Sequence, residues 1–491
     1  MRVADSGDRE AGEVSTPSTR GRIGLVLGPL LFALVYFLPA LTGLDDAPRA
    51  VLAVTLWVAT WWITEAMPIP ATSLMPIFLL PITGGADERT ATMAYGNPIV
   101  FMYMGGFTIA LAIQKWDLHK RIAMVILSMV GAGGKRIVLG VILATAFLSM
   151  WISNAATALM MLPIGLALIE EIRREQLYDP QTLKRFAKGL LLSIAYAASI
   201  GGLATLIGSV PNAVFAAVSA QNLGRTVSFA EWFVFAAPLS ALMLAILYVY
   251  MTRFRFRIAG GQDVGAGFAR EQLKRLGPMG FEEKAVLAVF ATVGTLWISS
   301  GFLPGPLRLS DTSISMIGAV SLFLLPARRG RGRLMGWPDM RNLPWGLLLL
   351  FGGGLSLAAA FESSGLTQWF GTLLAGLSVL PFVLIVFALG AIVLLMTEIM
   401  SNTAVSNMLI PVGIGLALGI GADPHTIMAV IALSASCAFM LPISTPPNAA
   451  VFSSDYITID DMVRAGIGMN IAAVSLISGF VLLWQPIAMG G

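Results

Sequence analysis

Apolar residues run in blocks along this 491-residue chain, and most blocks have the length of a membrane crossing. A helix needs roughly 17–25 apolar residues to span a bilayer. Such stretches lie at 23–44, 51–67, 69–84, 95–114, 190–220, 231–252, 285–303, 312–326, 344–364, 425–454 and 464–485, which predicts eleven transmembrane helices. Two further apolar stretches, 137–169 and 380–421, carry polar phrases that are near copies. "SNAATALMMLPIG" at 153–165 returns as "SNTAVSNMLIPVG" at 401–413, 248 residues later. Polar groups inside a membrane segment are expensive, so a phrase written twice asks for a physical reason.

The basic residues decide how those blocks are threaded. Lys and Arg gather in the N-terminal 22 residues and in the stretches 115–136, 170–188, 253–284 and 327–343. With the N-terminus in the cytoplasm, and with 137–169 and 380–421 each entering and leaving on one face, the basic side chains fall almost entirely on the cytoplasmic side. Only Arg49, Arg89, Arg225 and Arg308 of the 31 are left outside. A full crossing at 137–169 would turn the later basic loops outward, against the positive-inside bias. Both stretches are therefore expected to be re-entrant hairpins.

Five crossings separate the two hairpins. Five is odd, so the first enters from the cytoplasm and the second from outside. That is an inverted-topology repeat, common among secondary transporters. More of the repeat is visible. "MGGFTIALA" at 104–112 matches "GGGLSLAAA" at 352–360, again 248 residues on. "GSVPNAVF" at 208–215 matches "STPPNAAVF" at 444–452, at a spacing of 236. The expected organisation is a cytoplasmic tail at 1–22, a first half at 23–252, a cytoplasmic linker at 253–284 and a second half at 285–491. The C-terminus then lies outside.

The four phrases place short oxygen-bearing side chains beside Gly or Pro. Proline disturbs the turn before it, so a break is expected at 208–212. Broken helices and hairpin tips offer amide N–H groups to anions and freed carbonyls to hard cations. Asn supplies a donor and an acceptor together. A lone Ser-Asn reads as an ordinary helix cap. Four phrases paired across two halves outweigh that reading. No Lys or Arg stands near any of them in the sequence, so bound Na⁺ would supply the positive charge that an anionic substrate needs. Glu398, three residues before Ser401, reads as a hydrogen-bonded structural or cation-side group.

Composition narrows the class. The chain is 57% hydrophobic and 12% charged. Soluble domains are about a quarter charged, so this is an integral membrane protein. The net charge of +4 does not argue for nucleic acid. One cysteine, Cys437, rules out an intramolecular disulfide. No metalloprotease, CxxC or nucleotide-binding phrase occurs. His119 and His425 belong to no recognisable Ser/His/acid arrangement, so the chain is not expected to be an enzyme.

"SNAAT" and "SNTAV", followed by "GSVPNAVF" and "STPPNAAVF", resemble the divalent anion:sodium symporter family, whose members carry dicarboxylates, citrate or sulfate. The resemblance covers the chain after about residue 23. It implies an all-α homodimer in the plasma (inner) membrane, with a scaffold and a mobile transport domain moving as an elevator. It places substrate against Ser153, Asn154, Ala155, Ser209, Ser401, Asn402, Thr403 and Thr445. It places one Na⁺, as coupling ion, at Ser149, Ser153, Asn154 and the backbone near Gly208. The other falls to Thr397, Asn402 and the backbone near Met400 and Ser444. Two departures stand out. Ala155 replaces the family's Thr, and Val210 stands where the second half has Pro446. The function implied is sodium-coupled uptake of C4-dicarboxylates such as succinate, malate and fumarate. A sulfate transporter and a sodium-independent dicarboxylate exchanger remain open on the same scaffold.

Overall fold

The computed structural model describes residues 19–38, 43–131, 133–258, 265–300, 308–328 and 332–489. Helices make up nearly all of it; among the described residues one two-stranded ribbon, Pro326–Ala327 with Gly332–Arg333, is the exception. The chain runs through α1 (Thr19–Phe37), α2 (Asp46–Thr64), α3 (Ile69–Thr72), α4 (Met75–Thr83), α5 (Glu88–Met93), α6 (Pro98–Lys115) and α7 (Leu118–Val130). Then come α8 (Gly134–Ser149), α9 (Asn154–Arg174), α10 (Pro180–Gly202), α11 (Val210–Asn222), α12 (Phe229–Val249) and α13 (Gly265–Leu276). The rest is α14 (Phe281–Ser300), α15 (Asp311–Leu324), α16 (Trp345–Ser364), α17 (Leu366–Leu374), α18 (Phe382–Thr397) and α19 (Asn402–Ile420). It closes with α20 (Pro424–Ala435), α21 (Pro446–Phe452) and α22 (Ile459–Ala488).

Among the described residues, seven helical stretches are long and apolar enough to cross a membrane alone. The eleven apolar blocks of the sequence do not each become one such helix. Three are divided by turns: 69–84 into α3 and α4, 190–220 into α10 and α11, and 425–454 into α20 and α21. α15 has only 14 residues, and at 1.5 Å per residue is shorter than a ~30 Å hydrocarbon layer. α2, α10 and α14 are long enough but more polar. The basic stretch 253–284 contains α13 and the first turn of α14.

The breaks fall before the prolines, not around them. α10 ends at Gly202, residues 203–209 are non-helical, and α11 restarts with Pro211 in its first turn. Pro446 and Pro447 likewise open α21. A proline in a first turn removes an N–H that would be unpaired anyway, so it starts a helix there instead of kinking one.

α10 and α20 form the centre. Every residue from 189 to 202 and from 425 to 435 is buried. Helices buried all round are core helices. Gly201 lets α8 come close: a Cβ there would lie 2.6 Å from the backbone of Ala146. The outer helices invert the pattern of a soluble protein. Phe78 and Ile82 of α4, Val383, Leu384 and Leu395 of α18, and Ile471, Leu483 and Ile487 of α22 are exposed, as lipid contact requires.

Candidate functional site

Two matching sets of elements build the site, each from the tight turn between two helices (α8 to α9, α18 to α19) and one helix break (α10 to α11, α20 to α21). Ser153 is the N-cap of α9, with extended backbone, and its hydroxyl accepts from the Ala156 N–H at 3.4 Å. Ser401 caps α19 with nearly the same backbone angles and no such bond. Behind each tip sits a matching trio. The Ser149 hydroxyl donates to the Ala198 carbonyl at 2.7 Å and lies 2.7 Å from the Asn154 amide. The Thr397 hydroxyl is 2.9 Å from the Ala435 carbonyl and 2.6 Å from Asn402 Oδ1. The inner end of the Asn154 amide also lies 3.0 Å from Ala198 O and 3.1 Å from Gly208 O. With its nitrogen there it donates to both. With its oxygen there, four oxygens converge.

The breaks are clamped alike. Asn212 turns its amide back across the first break and donates to the carbonyls of Gly202 (3.0 Å), Leu203 (3.3 Å) and Thr205 (2.8 Å). Asn448 donates to the carbonyls of Ala438 and Leu441, both at 3.1 Å, and to Ser444 Oγ at 3.0 Å. Freed carbonyls are thus paired in a segment where water cannot serve them. The Asn of each Pro-Asn phrase works as this clamp.

The N–H groups of the two breaks are handled differently. In the second half the Glu398 carboxylate, 3% exposed, accepts from the N–H groups of Phe439 (2.8 Å), Met440 (3.0 Å) and Leu441 (3.2 Å). It also takes the Asn470 amide at 2.7 Å. Met150 holds the matching place in the first half, where the Thr205 hydroxyl donates to the Met150 carbonyl and accepts from Gly208 N–H at 3.0 Å. Tyr103 secures that break from outside, its hydroxyl donating to the carbonyls of Leu206 and Ser209.

A cavity of about 690 Å³ lies among these elements. Ser153, Asn154, Ala155, Ser209, Ser401, Asn402, Thr403 and Thr445 all line it, as do Gly208, Met400 and Ser444. Ser149 and Thr397 stand behind its wall, fully buried. The N-cap residues of α9, α11, α19 and α21 therefore share one cavity. The halves differ at four paired lining positions, one of them Gly208 against Ser444. Ala155 faces the cavity where its partner Thr403 carries a hydroxyl. Val210 stands opposite Pro446. The Ser209 hydroxyl turns to Ser436 Oγ at 2.7 Å, whereas Thr445 caps its own helix at Asn448 N–H, 3.3 Å away.

The opposite wall is not visible in the phrases. It is formed by Trp62, Ile63, Thr64 and Glu65 at the end of α2, Ile69 of α3, Leu347 of α16 and Arg20 of α1. The fold thus brings an arginine to a cavity whose polar phrases have none nearby in sequence.

The expectation that His425 lacks Ser and acid neighbours is corrected. His425 Nδ1 lies 3.3 Å from Asp423 and Nε2 lies 2.9 Å from Ser219 Oγ. The Ser219 hydroxyl also donates to the Arg225 carbonyl at 2.8 Å. The chain joins the end of α11 to the start of α20, away from the residues lining the cavity. Burial pushes the Asp423 carboxyl up, but hydrogen bonds from His425 and Thr426 outweigh it and hold the group well below the usual carboxylate range. It is a structural link between the halves, buried at Ser219 and His425 and exposed at Asp423.

Apolar helices, two divided helices and a polar cavity between them are the features of an integral membrane transporter. The sodium:sulfate symporter transmembrane region matches residues 22–490, and the chain belongs to that family. The sodium-dependent dicarboxylate transporter SdcS of Staphylococcus saprophyticus is 40% identical over 481 residues, 95% of this chain and 92% of its own. SdcS of Staphylococcus aureus strain MRSA252 is 40% identical over 96% of this chain and 93% of its own. Among solved structures, the Alcanivorax borkumensis YdaH transporter aligns with a TM-score of 0.59 at 15% identity, covering 96% of this chain and 99% of its own. Neisseria gonorrhoeae MtrF aligns at 0.52 and 11% identity, covering 83% and 84%. These two likenesses are of fold alone. The family and these relatives are transporters, not enzymes.

Proposed function

We propose that this protein couples uptake of a small C4-dicarboxylate, such as succinate, malate or fumarate, to sodium. The convergence of four helix N-caps on one cavity carries the reading. Helix N-termini carry positive partial charge, which suits a carboxylate at each end of a short dianion; α9 and α19 also offer first-turn N–H groups, whereas prolines take N–H groups out of the first turns of α11 and α21. The 40% identity to sodium-dependent dicarboxylate transporters along nearly the whole chain supports this choice.

Sodium fits the donor set. When the Asn154 amide turns its oxygen inward, Ser149 Oγ, Ala198 O and Gly208 O surround it with neutral oxygens. Thr397 Oγ1, Asn402 Oδ1 and Ala435 O form a second group, with Met400 and Ser444 on the adjoining wall. Hard cations take such ligands. Asn154 and Asn402 each face a cation on one side and the cavity on the other, so filling one side orders the amide for the other. Ser153, Ser401, Thr403, Ser209 and Thr445 then supply hydrogen bonds to the dianion, and Ala155 supplies none.

The inverted repeat is supported by bonds that recur at constant spacing. The Asn212 bonds to the carbonyls of residues 202 and 205 return 236 residues later as Asn448 bonds to 438 and 441. Eleven crossings, two hairpins, an N-terminus in the cytoplasm of a plasma (inner) membrane and a C-terminus outside complete the reading. So do the halves at 23–252 and 285–491 with their linker, a homodimer, and an elevator movement of the hairpins and breaks against α1, α2 and α16.

The family description favours a second reading, transport of sulfate or another oxyanion. A thermal-shift screen of succinate, malate, citrate and sulfate in Na⁺ or K⁺ separates the two. A ligand at 100 times its Kd stabilises the folded state by about 2.7 kcal/mol. Succinate is expected to raise the Tm in Na⁺ and not in K⁺; a shift with sulfate alone would replace the dicarboxylate reading with the second.

Ala155→Thr tests the asymmetry of the two tips. A restored hydroxyl contributes about 1 kcal/mol, so KM for succinate is expected to fall about fivefold. An unchanged KM would remove position 155 from the substrate site.

A further inference from the structure

Two charged side chains line a cavity whose tips are neutral, Arg20 and Glu65. Both are exposed, and neither has a hydrogen-bond or ion-pair partner among the described residues. Their placement follows from how α1 meets α2. Arg20, Gly24 and Gly28 recur every four residues and so share one face of α1. A Cβ at Gly24 would overlap the Thr64 side chain, and one at Gly28 would lie 2.7 Å from Trp57 and Trp61. The Trp61 indole N–H donates to the Gly24 carbonyl at 2.9 Å. The glycine face is therefore pressed on α2, and Arg20, one turn earlier, lies over the end of α2 where Thr64 and Glu65 meet the cavity. Glu65 holds left-handed backbone at φ 50° and ψ 39°, a conformation that side chains other than Gly, Asn and Asp seldom adopt. A glycine would stop α2 there with less strain and would leave no carboxylate at the rim.

We propose that Arg20 is a substrate-positioning residue at the cytoplasmic rim of the cavity, where its guanidinium takes one carboxylate of the dianion between the hairpin tips and the cytoplasm. The proposal rests on the dicarboxylate reading. Guanidinium and carboxylate pair through two parallel hydrogen bonds, and a charge set among low-dielectric walls attracts its counter-ion more strongly than one in water. The cavity, about 690 Å³, is in the size range of drug-sized ligands and larger than a C4 dianion fills. Rim and tips are thus successive stations. Glu65 lines the same cavity and keeps the rim station weak: an arginine alone would delay release of the dianion.

Cysteine chemistry tests this in the full-length chain, because Cys437, its single thiol, is buried. Succinate transport from the cytoplasmic face is measured in proteoliposomes that carry the protein inside-out, so that Arg20 faces the external buffer, under an inward sodium gradient. Arg20→Cys is expected to raise KM on the order of tenfold with the maximal rate within about twofold of wild type, the size of one charged contact at such a rim. Attaching a 2-(trimethylammonium)ethyl group to the new thiol lowers KM part of the way back, since it returns the charge without the N–H groups, and attaching a 2-sulfonatoethyl group raises it further. Arg20→Lys falls between wild type and Arg20→Cys, because it keeps the charge and loses the paired hydrogen bonds, and Glu65→Gln lowers KM. Wild-type uptake with a KM indifferent to both modifications overturns the proposal. So does a loss of maximal rate at unchanged KM, which a purely structural role of α1 would give. A wild-type protein that takes up no succinate in sodium fails earlier, on the dicarboxylate reading itself.

Discussion

Replacing Asn154 or Asn402 with Ala is expected to abolish sodium-driven succinate uptake, with initial rates at least 100-fold below wild type. Each amide lies within 3 Å of a hydroxyl behind its tip, Ser149 at 2.7 Å and Thr397 at 2.6 Å, and also lines the cavity. Truncation therefore removes a ligand from the cation side and a hydrogen bond from the substrate side together. A hydrogen bond to a charged partner is worth about 1.5–3 kcal/mol. Two such losses exceed the ~2.7 kcal/mol that corresponds to a factor of 100. The two variants are expected to fail alike, because the trios around them match. Both are expected to keep the elution volume of wild type, since neither amide spans a helix break. Uptake by either variant within threefold of wild type would remove that residue from the site.

Glu398→Ala is expected to be the most destabilising single change in the second half, by about 3–5 kcal/mol. Three backbone N–H groups and the Asn470 amide converge on that carboxylate. Its loss leaves them without an acceptor in a dry interior, at about 1–3 kcal/mol for each unpaired group before relaxation. Glu398→Gln keeps one acceptor oxygen and turns an NH₂ toward donors, so it should fall between wild type and Ala. Met150→Ala, at the matching place in the first half, should cost less than either, because the Thr205 hydroxyl and not residue 150's side chain serves that break. Thermal unfolding in detergent gives the order. A Glu398→Ala protein that melts with wild type would show that the break is held by something else.

Glu398 also marks what the sequence discloses. Its place three residues before Ser401 reads as a hydrogen-bonded group, and it is one, but its partners lie 41 to 72 residues on and have no local signature. The hairpin tips are legible because copying them at a fixed spacing preserves their composition. The clamps at Asn212 and Asn448 are half legible: the Pro-Asn phrase marks a break, but proline begins the next helix instead of sitting at the centre of the gap. The wall of α1, α2 and α16 is not legible in the phrases, since its residues are ordinary span ends until the fold faces them to the tips. Gly24 and Gly28, four apart on an apolar helix, were the available signal for how closely α1 meets α2. Ser219 and His425 lie 206 residues apart, and neither has a neighbour in sequence that points to the other.

The central claim, that sodium drives dicarboxylate uptake through these paired tips, is tested most directly by purified protein in proteoliposomes. Radiolabelled succinate is offered with an inward Na⁺ gradient and with K⁺ in its place. Accumulation above the external concentration in Na⁺, and none in K⁺, is the predicted result. Equal entry with either cation would contradict coupling, and sulfate accumulation without succinate would contradict the substrate.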